Sequence, residues 1–366
     1  MNAVETLIVG GGPAGAACAS HLADAGREVM LIERTSSPHH KVCGEFVSIE
    51  TQAALARLGI DPAALGAAAI EDVSIHAGRK SVGARLPFRA LSLSRYRLDA
   101  ALLSRAAESG AAIRRGVAAQ HAARNGEGWQ LRCGDGETIR CRNLVCATGK
   151  WGVRGMRDAR DASLVGLKMH LRLSPAGARA LAGRVELALL DGGYAGMELV
   201  ENGFANLCLV LPASTVTQLA AGWIPLRDYL AGALPNLADG LAAATPLFAK
   251  PLAVVCPAAG HVHRDASDAY PIGDRLAHIP PFTGDGLAIA LATGALAADC
   301  IARGQAAGVY LEAAHRLVAR PIRIASLILA LARAQLGRAL LIEAARIAPG
   351  TIPALTQATR LRVGAH

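Results

Sequence analysis

Six residues near the N-terminus, Gly10-Gly11-Gly12-Pro13-Ala14-Gly15, have the spacing of a loop that binds a diphosphate. Glycines occupy positions 10, 12 and 15 of a Gly-x-Gly-x-x-Gly pattern. The first permits a tight turn, the second lets backbone N–H groups approach a pyrophosphate, and the third lets a helix pack close to a sheet. The N-terminus of that helix presents free N–H donors and the positive end of its dipole. The loop therefore predicts a dinucleotide site.

An acidic residue, Glu33, follows the last of these glycines by 18 residues. Its carboxylate can accept hydrogen bonds from both hydroxyls of an adenosine ribose, and its charge would repel a 2′-phosphate. The alternative, a glycine-rich turn without a ligand, is disfavoured by the complete order of strand, loop, helix and acid. The first site therefore suits FAD or NAD rather than NADP.

A second glycine-rich stretch can contact a flavin. Asp274 can hydrogen-bond the hydroxyls of a ribityl chain, and Gly284 to Gly286 open another helix of small residues. The N-terminus of this helix can face the pyrimidine edge of the flavin, where its dipole favours the negative charge of the reduced ring. A proline turn before an ordinary packing helix is the alternative.

The apolar pattern supplies elements to position these loops. Short apolar runs predict strands at 4–9 and 28–33, with a helix of small residues at 13–25 between them. This order is a βαβ unit of about 30 residues. Another apolar strand is predicted at 143–149, and a long helix of small residues at 283–302.

A mostly antiparallel sheet is predicted further along the chain. Its consecutive strands cover residues 164–172, 184–190, 193–200 and 204–211. Three short strands are predicted within 71–95, and the region 308–366 reads as helical with interruptions at Pro321, Pro349 and Pro353. Ten apolar residues of the sheet could line a pocket or equally form core: Leu164, Val165, Leu167, Met169, Leu187, Leu189, Tyr194, Met197, Leu207 and Leu209.

Together these motifs resemble a family. The GGGPAG loop with Glu33 and Arg34 resembles the FAD-binding start of glutathione-reductase-like flavoproteins. Residues 95–99 (RYRLD) and the stretches PIGD and PPFTGDG at 271–286 resemble the aromatic-hydroxylase and geranylgeranyl-reductase branch. Residues 41–46 (KVCGEF) resemble the Cys-Gly motif of geranylgeranyl reductases. These marks extend from residue 4 to about 302, which is most of the chain.

The resemblance implies the fold and its division. The fold class is α/β, with a Rossmann-like FAD-binding domain interleaved with an antiparallel substrate-binding sheet and followed by C-terminal helices. We assign 1–75, 95–163 and 265–305 to the FAD-binding domain, 76–94 and 164–264 to the substrate-binding domain, and 306–366 to the helical region. The predicted cofactor-binding residues are Gly10, Gly12, Pro13, Ala14, Gly15, Glu33, Arg34, Lys41, Cys43, Gly44, Arg95, Val117, Gly149, Gly273, Asp274, Pro281, Gly284, Asp285, Gly286 and Leu287.

Cys43 is the candidate catalytic residue. In the resembled reductases the Cys-Gly loop lies near the flavin ring, so a thiol there could protonate a substrate carbon after hydride transfer. Lys41 could lower the pKa of the thiol. A buried structural thiol beside a turn that requires Gly44 remains open as the alternative.

Two departures from the family affect the reaction type. Aromatic hydroxylases carry an Asp-Gly motif where this chain reads Thr148-Gly149, which disfavours their handling of NADPH. Flavin halogenases carry a Trp-x-Trp-x-Ile-Pro sequence, and the comparable strand here, 193–198, has no tryptophan. We therefore expect a reductase or dehydrogenase that transfers hydride through flavin N5 to a hydrophobic isoprenoid, polyketide or aromatic molecule of specialised metabolism. An oxygen-using monooxygenase is the alternative, followed by a halogenase or an electron-transfer flavoprotein.

The amino-acid composition limits the kinds of partner that this chain is expected to bind. Hydrophobic residues make up 52% and charged residues 18% of the 366 residues, which excludes a disordered chain. The net charge of +9 comes from scattered arginines without interleaved aromatics, so no nucleic acid partner is expected. A basic surface suits an anionic cofactor, a carrier protein or membrane headgroups. Only one Gly-x-Gly-x-x-Gly loop has the right context, so NAD(P)H or another external reductant would bind transiently.

The cysteines and histidines indicate no metal site. The eight cysteines include no Cys-x-x-Cys pair, and His261, His263 and His278 have no cysteine or carboxylate that completes a ligand set. Those histidines are expected in solvated loops. Free thiols and the absence of a signal sequence predict a cytoplasmic protein, with peripheral contact to a membrane left open. The oligomeric state is not predicted.

Overall fold

The strands of the protein form two sheets. The computed structural model describes residues 2–126, 128–155, 164–234, 237–256, 260–264 and 269–361. Within these residues the sheets contain seven and nine strands. Both belong to one mixed α/β architecture, as the sequence predicts.

The first sheet carries the predicted dinucleotide loop. Its strands are β1 (Asn2–Val9), β2 (Val29–Glu33), β6 (Ala112–Arg115), β7 (Ala119–Asn125), β8 (Gly128–Cys133), β9 (Thr138–Cys146) and β16 (Tyr270–Pro271). The order is β6-β2-β1-β9-β8-β7, with β16 paired to β9. Strand β1 is parallel to both neighbours, and Leu7 and Ile8 on its two faces are fully buried. Burial on both faces explains why this strand reads as a continuous apolar run.

The second sheet is larger than the sequence predicts. Its strands are β3 (Phe46–Val47), β4 (Ala68–Ala77), β5 (Lys80–Ser92), β10 (Leu164–Arg172), β11 (Gly183–Leu190), β12 (Gly193–Leu199), β13 (Ala205–Pro212), β14 (Thr245–Pro246) and β15 (Leu252–Cys256). The order is β14-β10-β13-β12-β11-β4-β5-β3, and β15 also pairs with β10. The four predicted strands are confirmed. The stretch predicted as three short strands instead forms the long hairpin β4–β5, which joins the sheet through a parallel pairing of β4 with β11.

Helices cover both sheets. They are α1 (Pro13–Asp24), α2 (Ile49–Arg57), α3 (Arg95–Glu108), α4 (Pro175–Leu181), α5 (Ala213–Leu219), α6 (Trp223–Ala233), α7 (Ala238–Ala242), α8 (Gly286–Ala302), α9 (Ala307–Arg333), α10 (Gln335–Ile347) and α11 (Thr351–Ala358). Helices α1 and α8 approach so closely that a Cβ atom at Gly294 would lie 2.4 Å from the Ala14 carbonyl oxygen. The many small residues of both helices permit this contact, which brings the two predicted cofactor loops side by side.

The second sheet has two different faces. Alternate residues such as Leu167, Met197 and Leu207 are fully buried in a core that includes Trp223 of α6 and Leu181 of α4. The opposite face carries the intervening residues of the same strands and meets the C-terminal helices. We call the first the outer face and the second the inner face.

The C-terminal helices differ from the sequence prediction at two prolines, because Pro353 lies within the first turn of α11 and Pro321 lies within α9. Helix α9 continues through Pro321, which is buried inside it, and the chain breaks instead at Ala334 between α9 and α10. Across the described parts of the chain, no single helix is long and apolar enough to cross a membrane. Helices α9 and α10 together have the length and composition of a broken span, bent by 111°.

Candidate active site

The loop between β1 and α1 has the geometry that the glycine pattern predicts. Gly10 has a φ of +111°, and a Cβ atom there would lie 2.4 Å from the Ala147 carbonyl oxygen. A Cβ atom at Gly15 would lie 2.0 Å from the Gly10 carbonyl oxygen. In contrast, the nearest atom to a Cβ at Gly12, the N-cap of α1, would be an Arg95 guanidinium nitrogen at 3.8 Å. Two glycines thus allow close packing, and the middle one leaves space beside the free N–H groups of the helix.

Glu33 lies at the end of β2, against this loop. Its carboxylate accepts hydrogen bonds from the backbone N–H of Gly11 at 2.7 Å and of Thr35 at 3.0 Å. Burial opposes its ionisation, but these hydrogen bonds hold the pKa of Glu33 below its usual range. Nearby, Val117 donates its N–H to the Glu33 carbonyl, and Arg34 lies 5.9 Å from the ring of Trp151. The carboxylate is fixed and ionised, with lone pairs left for a ribose.

A largely buried cation adjoins the N-terminus of α1. Arg95, at the start of α3, forms two hydrogen bonds to Asp99, at 2.6 and 2.8 Å, and Lys41 reaches the same carboxylate at 2.9 Å. Burial opposes the charge of Arg95, but Asp99 and Cys43 raise the pKa of its guanidinium. The group of Arg95, Lys41 and Asp99 therefore carries one net positive charge beside Gly12, as a diphosphate requires. The cation in contact with Cys43 is Arg95, whereas Lys41 pairs with Asp99.

The second glycine-rich stretch packs against the first. Gly273 has a φ of +59°, and a Cβ atom there would lie 2.9 Å from the Ala14 Cβ. Gly284 has a φ of +74°, and its missing side chain makes room for the ring of Phe46. Asp274 and Pro281 lie in the two short 3₁₀ turns that precede α8. The structure thus brings the two loops together at the ends of β1, β16 and α8.

Asp285, predicted to bind the cofactor, instead directs its carboxylate to Arg360. This fully buried residue is the N-cap of α8, and its side chain accepts a hydrogen bond from Arg360 at 2.7 Å. Burial raises the pKa of Asp285 to about 7, while Arg360 opposes the rise. Gly286 and Leu287 open the helix beside it, with no atom within 4 Å of a Cβ built on Gly286.

These observations fit an FAD molecule. Gly12, Gly44 and Gly286 each leave space where a Cβ atom would stand, apart from the Arg95 guanidinium at Gly12. Two helix N-termini, a fixed carboxylate and a net positive cluster lie around that space. The residues present can therefore hold a ribose, a diphosphate and a flavin in that order.

A buried ionic cluster supports the Cys43 loop. Glu45 is fully buried with a φ of +56°, and its carboxylate binds Lys168, the His170 ring at 2.8 Å and the Arg95 backbone N–H at 2.8 Å. Burial opposes the charge of Glu45, but Lys168 and His170 hold its pKa below the usual range. The Glu45 N–H in turn donates to the Cys43 sulfur at 3.4 Å. Glu45 therefore holds the loop through both its side-chain carboxylate and its backbone N–H.

Ligand atoms of His40, Glu45 and His170 lie within 4.8 Å of one another. A cation at this point would face the Lys168 ammonium, which already occupies the carboxylate. The arrangement is that of an ion cluster rather than of a metal centre. Of the histidines expected in solvated loops, His278 is instead buried.

A protonated acid lies behind the same loop. Glu198 on β12 accepts a hydrogen bond from Asn206 at 2.6 Å, and Asn206 also donates to the Cys43 carbonyl at 3.2 Å. Burial raises the pKa of Glu198 to about 8, the charge of Glu45 adds to the rise, and Asn206 opposes it. The raised pKa favours the protonated form of this carboxyl group at neutral pH.

An apolar cleft opens between the inner face and helices α9 to α11. The space between its walls, with the open solvent at its mouth included, is about 750 Å³. Its inner end is formed by Tyr194 of β12 and Phe282 of the second loop, whose rings meet edge to face at 5.9 Å. Arg333 is the one charged residue in its described lining. Burial raises the pKa of Tyr194 well above its usual value, with further contributions from Cys208, Cys256 and Cys43.

Four of the ten apolar residues that the sequence suggests for a pocket lie on the inner face, at or beside the cleft. Leu187, Leu189 and Tyr194 line the cleft, and Leu164 packs beside Tyr194. The other six belong to the outer core: Val165, Leu167, Met169, Met197, Leu207 and Leu209. Side chains alternate along a strand, so a continuous apolar run supplies both faces.

Comparison with known proteins decides the class. Residues 3–168 match a family described as an FAD binding domain. A menaquinone reductase from Mycolicibacterium smegmatis is 26% identical over 329 residues, which covers 82% of this chain and 76% of that protein. The protein is an FAD-dependent oxidoreductase. The predicted FAD cofactor and the resemblance to FAD-dependent oxidoreductases are confirmed.

Solved structures share the fold of this oxidoreductase. A flavin-dependent brominase superposes with a TM-score of 0.81 at 17% identity, covering 98% of this chain and 94% of the brominase. A geranylgeranyl bacteriochlorophyll reductase-like protein from Thermoplasma acidophilum gives a TM-score of 0.71 at 18% identity, covering 98% and 100%. At such identities the likeness shows the fold alone.

Sequence reasoning missed several buried polar side chains around the Cys43 loop. Lys168, His170, Glu198 and Asn206 each interrupt an apolar strand at an inner-face position. Polar residues at alternate positions of a buried strand were the available signal. Arg360 gave no signal, because its partner Asp285 is 75 residues away.

Proposed function

We propose that this oxidoreductase reduces a carbon–carbon double bond of an apolar isoprenoid lipid. The observation that carries the proposal is the apolar cleft, whose end at Tyr194 and Phe282 adjoins the second loop. Bound FAD supplies a hydride from N5 and is restored by NAD(P)H or another external two-electron donor. A relative named menaquinone reductase supports reduction of an isoprenoid quinone.

The lining residues select such a substrate. Leucine, isoleucine and alanine side chains from the inner face and from α9 to α11 surround most of the cleft. They can bury a hydrocarbon chain and exclude water, and they offer few partners to a polar molecule. The reacting bond would then lie at the inner end, against Phe282 and Tyr194.

Reduction of a double bond also requires one proton. Hydride bonds to one carbon, and a proton must reach the other, so that the substrate gains two hydrogens. We propose that the Cys43 thiol gives this proton. The loop is rigid, because Glu45 and Asn206 hold it from two sides.

The experiment follows reoxidation of the reduced holoenzyme without air. The protein would be reduced with dithionite, freed of the excess, and mixed with the hydroquinone of a menaquinone of short isoprenoid chain or with its counterpart bearing a saturated chain. The hydroquinone is used because an oxidised quinone ring would itself take two electrons and two protons from the reduced flavin. We expect the absorbance near 450 nm to return only with the unsaturated compound, whose product gains two hydrogens by mass spectrometry. Equal rates with both compounds would refute the proposal. An oxygenated product in place of the reduced lipid, formed in a parallel reaction with air, would favour the monooxygenase instead.

Cys43→Ala tests the proton donor separately. Loss of a positioned acid typically slows a reaction by 10²–10⁴-fold. We therefore expect the rate of lipid reduction to fall about a hundredfold, with FAD still bound. Cys133→Ala, which alters a buried thiol of the first sheet, is the matched control and should react normally. If Cys43→Ala turns over at the rate of the control, the thiol is structural.

A further inference from the structure

Large apolar side chains stand exposed along the C-terminal helices. Leu327 and Leu331 of α9 are 62% and 51% exposed, and Leu336, Leu340 and Ile347 of α10 are 80%, 68% and 82% exposed. Spacings of four and seven residues place each set on one side of its helix. We call these five residues the leucine ridge. Single exposed leucines are ordinary, but five large apolar side chains exposed within residues 327–347 indicate a surface that binds a partner.

Positive charge surrounds the ridge. Helices α9 and α10 contain six arginines and two carboxylates, Glu312 and Glu343. Arg320, Arg323 and Arg333 of α9 are exposed, whereas Glu343 is paired with Lys80. The surface therefore combines apolar side chains with a rim of arginines, which complements an anionic partner rather than a neutral or basic one.

We propose that the leucine ridge docks the protein on an anionic lipid bilayer. Helices α9 and α10 would lie in the plane of the interface, with the ridge in the acyl boundary and the arginines at the lipid phosphates. A second copy of the chain is a poorer occupant, because a two-fold contact would set the arginine-rich face against itself. The ridge is also outside the cleft, since none of its five residues lines it.

The same helices connect the ridge to the cleft. Ile328, Leu329 and Ala332 of α9 and Leu341 and Ile342 of α10 line the cleft on their other side. A helix with its side chains is about 10 Å thick, so the bilayer and the substrate space would be separated by one helix. An isoprenoid lipid could then pass from the bilayer into the cleft without crossing water. This last step rests on the proposed function, whereas the docking itself does not.

Flotation of the holoenzyme with vesicles tests the docking. Vesicles of phosphatidylcholine alone would be compared with vesicles containing equal amounts of phosphatidylglycerol. We expect the protein to float with the anionic vesicles, and to float less in 0.5 M salt than in 0.05 M salt because salt screens the arginines. Arg320→Gln with Arg323→Gln should reduce the preference for phosphatidylglycerol.

The apolar contribution is tested with Leu336→Gln and Leu340→Gln combined. Each buried leucine is worth about tenfold in partitioning, so the pair should lower the bound fraction about a hundredfold. Ile224→Gln is the matched control, because Ile224 is 54% exposed but lies on α6, away from the ridge. The control should float like the unaltered protein.

The docking is wrong if the unaltered protein stays at the bottom of the gradient, or if the leucine double variant floats as the control does. A dimer in solution that the double variant abolishes, without flotation, would assign the ridge to a second copy instead. Activity on a short-chain lipid dispersed in detergent separates the two proposals. The double variant should retain that activity, and its loss of activity would be confined to substrate supplied in vesicles.

Discussion

The C-terminal segment holds the second flavin loop through one arginine, Arg360. The loss in stability on replacing this arginine can be worked out from its contacts. Arg360 donates to the Asp285 carboxylate and to the Thr283 carbonyl, both at 2.7 Å. The two side chains are 8% and 0% exposed, and the guanidinium also lies 5.0 Å from the ring of Phe88. We predict that Arg360→Met loosens this loop and weakens the binding of FAD.

The cost depends on pH. Removing one partner of a buried ion pair typically costs about 3–5 kcal/mol, because the other charge stays buried. The pKa of Asp285 is raised from 3.8 to about 7 in the folded protein. The folded state therefore holds an extra proton between those values, and stability falls as the pH rises through this window. Without Arg360 the pKa of Asp285 rises further, so the fall continues above pH 7.

Thermal unfolding at pH 5 and pH 8.5 measures the effect. At pH 5 the carboxyl group is protonated in both proteins, and we expect a deficit of about 1 kcal/mol for the lost hydrogen bonds. At pH 8.5 we expect about 3 kcal/mol or more, together with release of FAD seen as a rise in flavin fluorescence.

Two variants control this experiment. Arg303→Met removes an exposed pair with Asp299 at the end of α8, which should cost less than about 1 kcal/mol at either pH. Adding Asp285→Asn to Arg360→Met should remove the difference between the two pH values. Equal deficits of Arg360→Met at pH 5 and pH 8.5 would show that the charge of Asp285 plays no part.

Two further predictions concern buried positions of the site. Gly15→Ala would place a Cβ atom 2.0 Å from the Gly10 carbonyl oxygen, so we expect a loss of roughly 3 kcal/mol in stability and of FAD from the purified protein, whereas Gly308→Ala, with no atom within 4 Å, should be neutral. Retention of FAD by Gly15→Ala would contradict the packing argument. Glu198→Gln should melt like the unaltered protein near pH 4.5 and at a higher temperature near pH 8, because the raised pKa of Glu198 costs the native state stability as the pH rises between these values. A constant difference in melting temperature across this range would show that Glu198 does not titrate there.

Local patterns carried the prediction of the cofactor domain. A strand, a glycine loop, a helix and an acid lie within 30 residues, and their geometry depends on φ angles and close approaches that only glycine allows. The structure bears this out at Gly10 and Gly15. The four consecutive strands from 164 to 211 were also predictable, because each is a compact apolar run between turns.

Proline positions predicted the boundaries of the C-terminal helices less well. Pro321 was expected to interrupt a helix, yet α9 passes through it. Burial of Pro321 and of its neighbours Ile322 and Ala325 against the core outweighs the hydrogen bond that a proline removes. Tertiary packing therefore overrode a local rule.

The amino-acid sequence by itself determined the dinucleotide loop, the flavin class and most strands, since each depends on residues near one another in the chain. Only the tertiary structure decided which face of the second sheet lines the cleft, because a buried strand is apolar on both sides. It also decided the partners of the buried charges. Glu45 meets Lys168 across 123 residues, and Asp285 meets Arg360 across 75. No local pattern encodes such pairs, because a charge can leave water only where the folded chain brings its counter-charge to it.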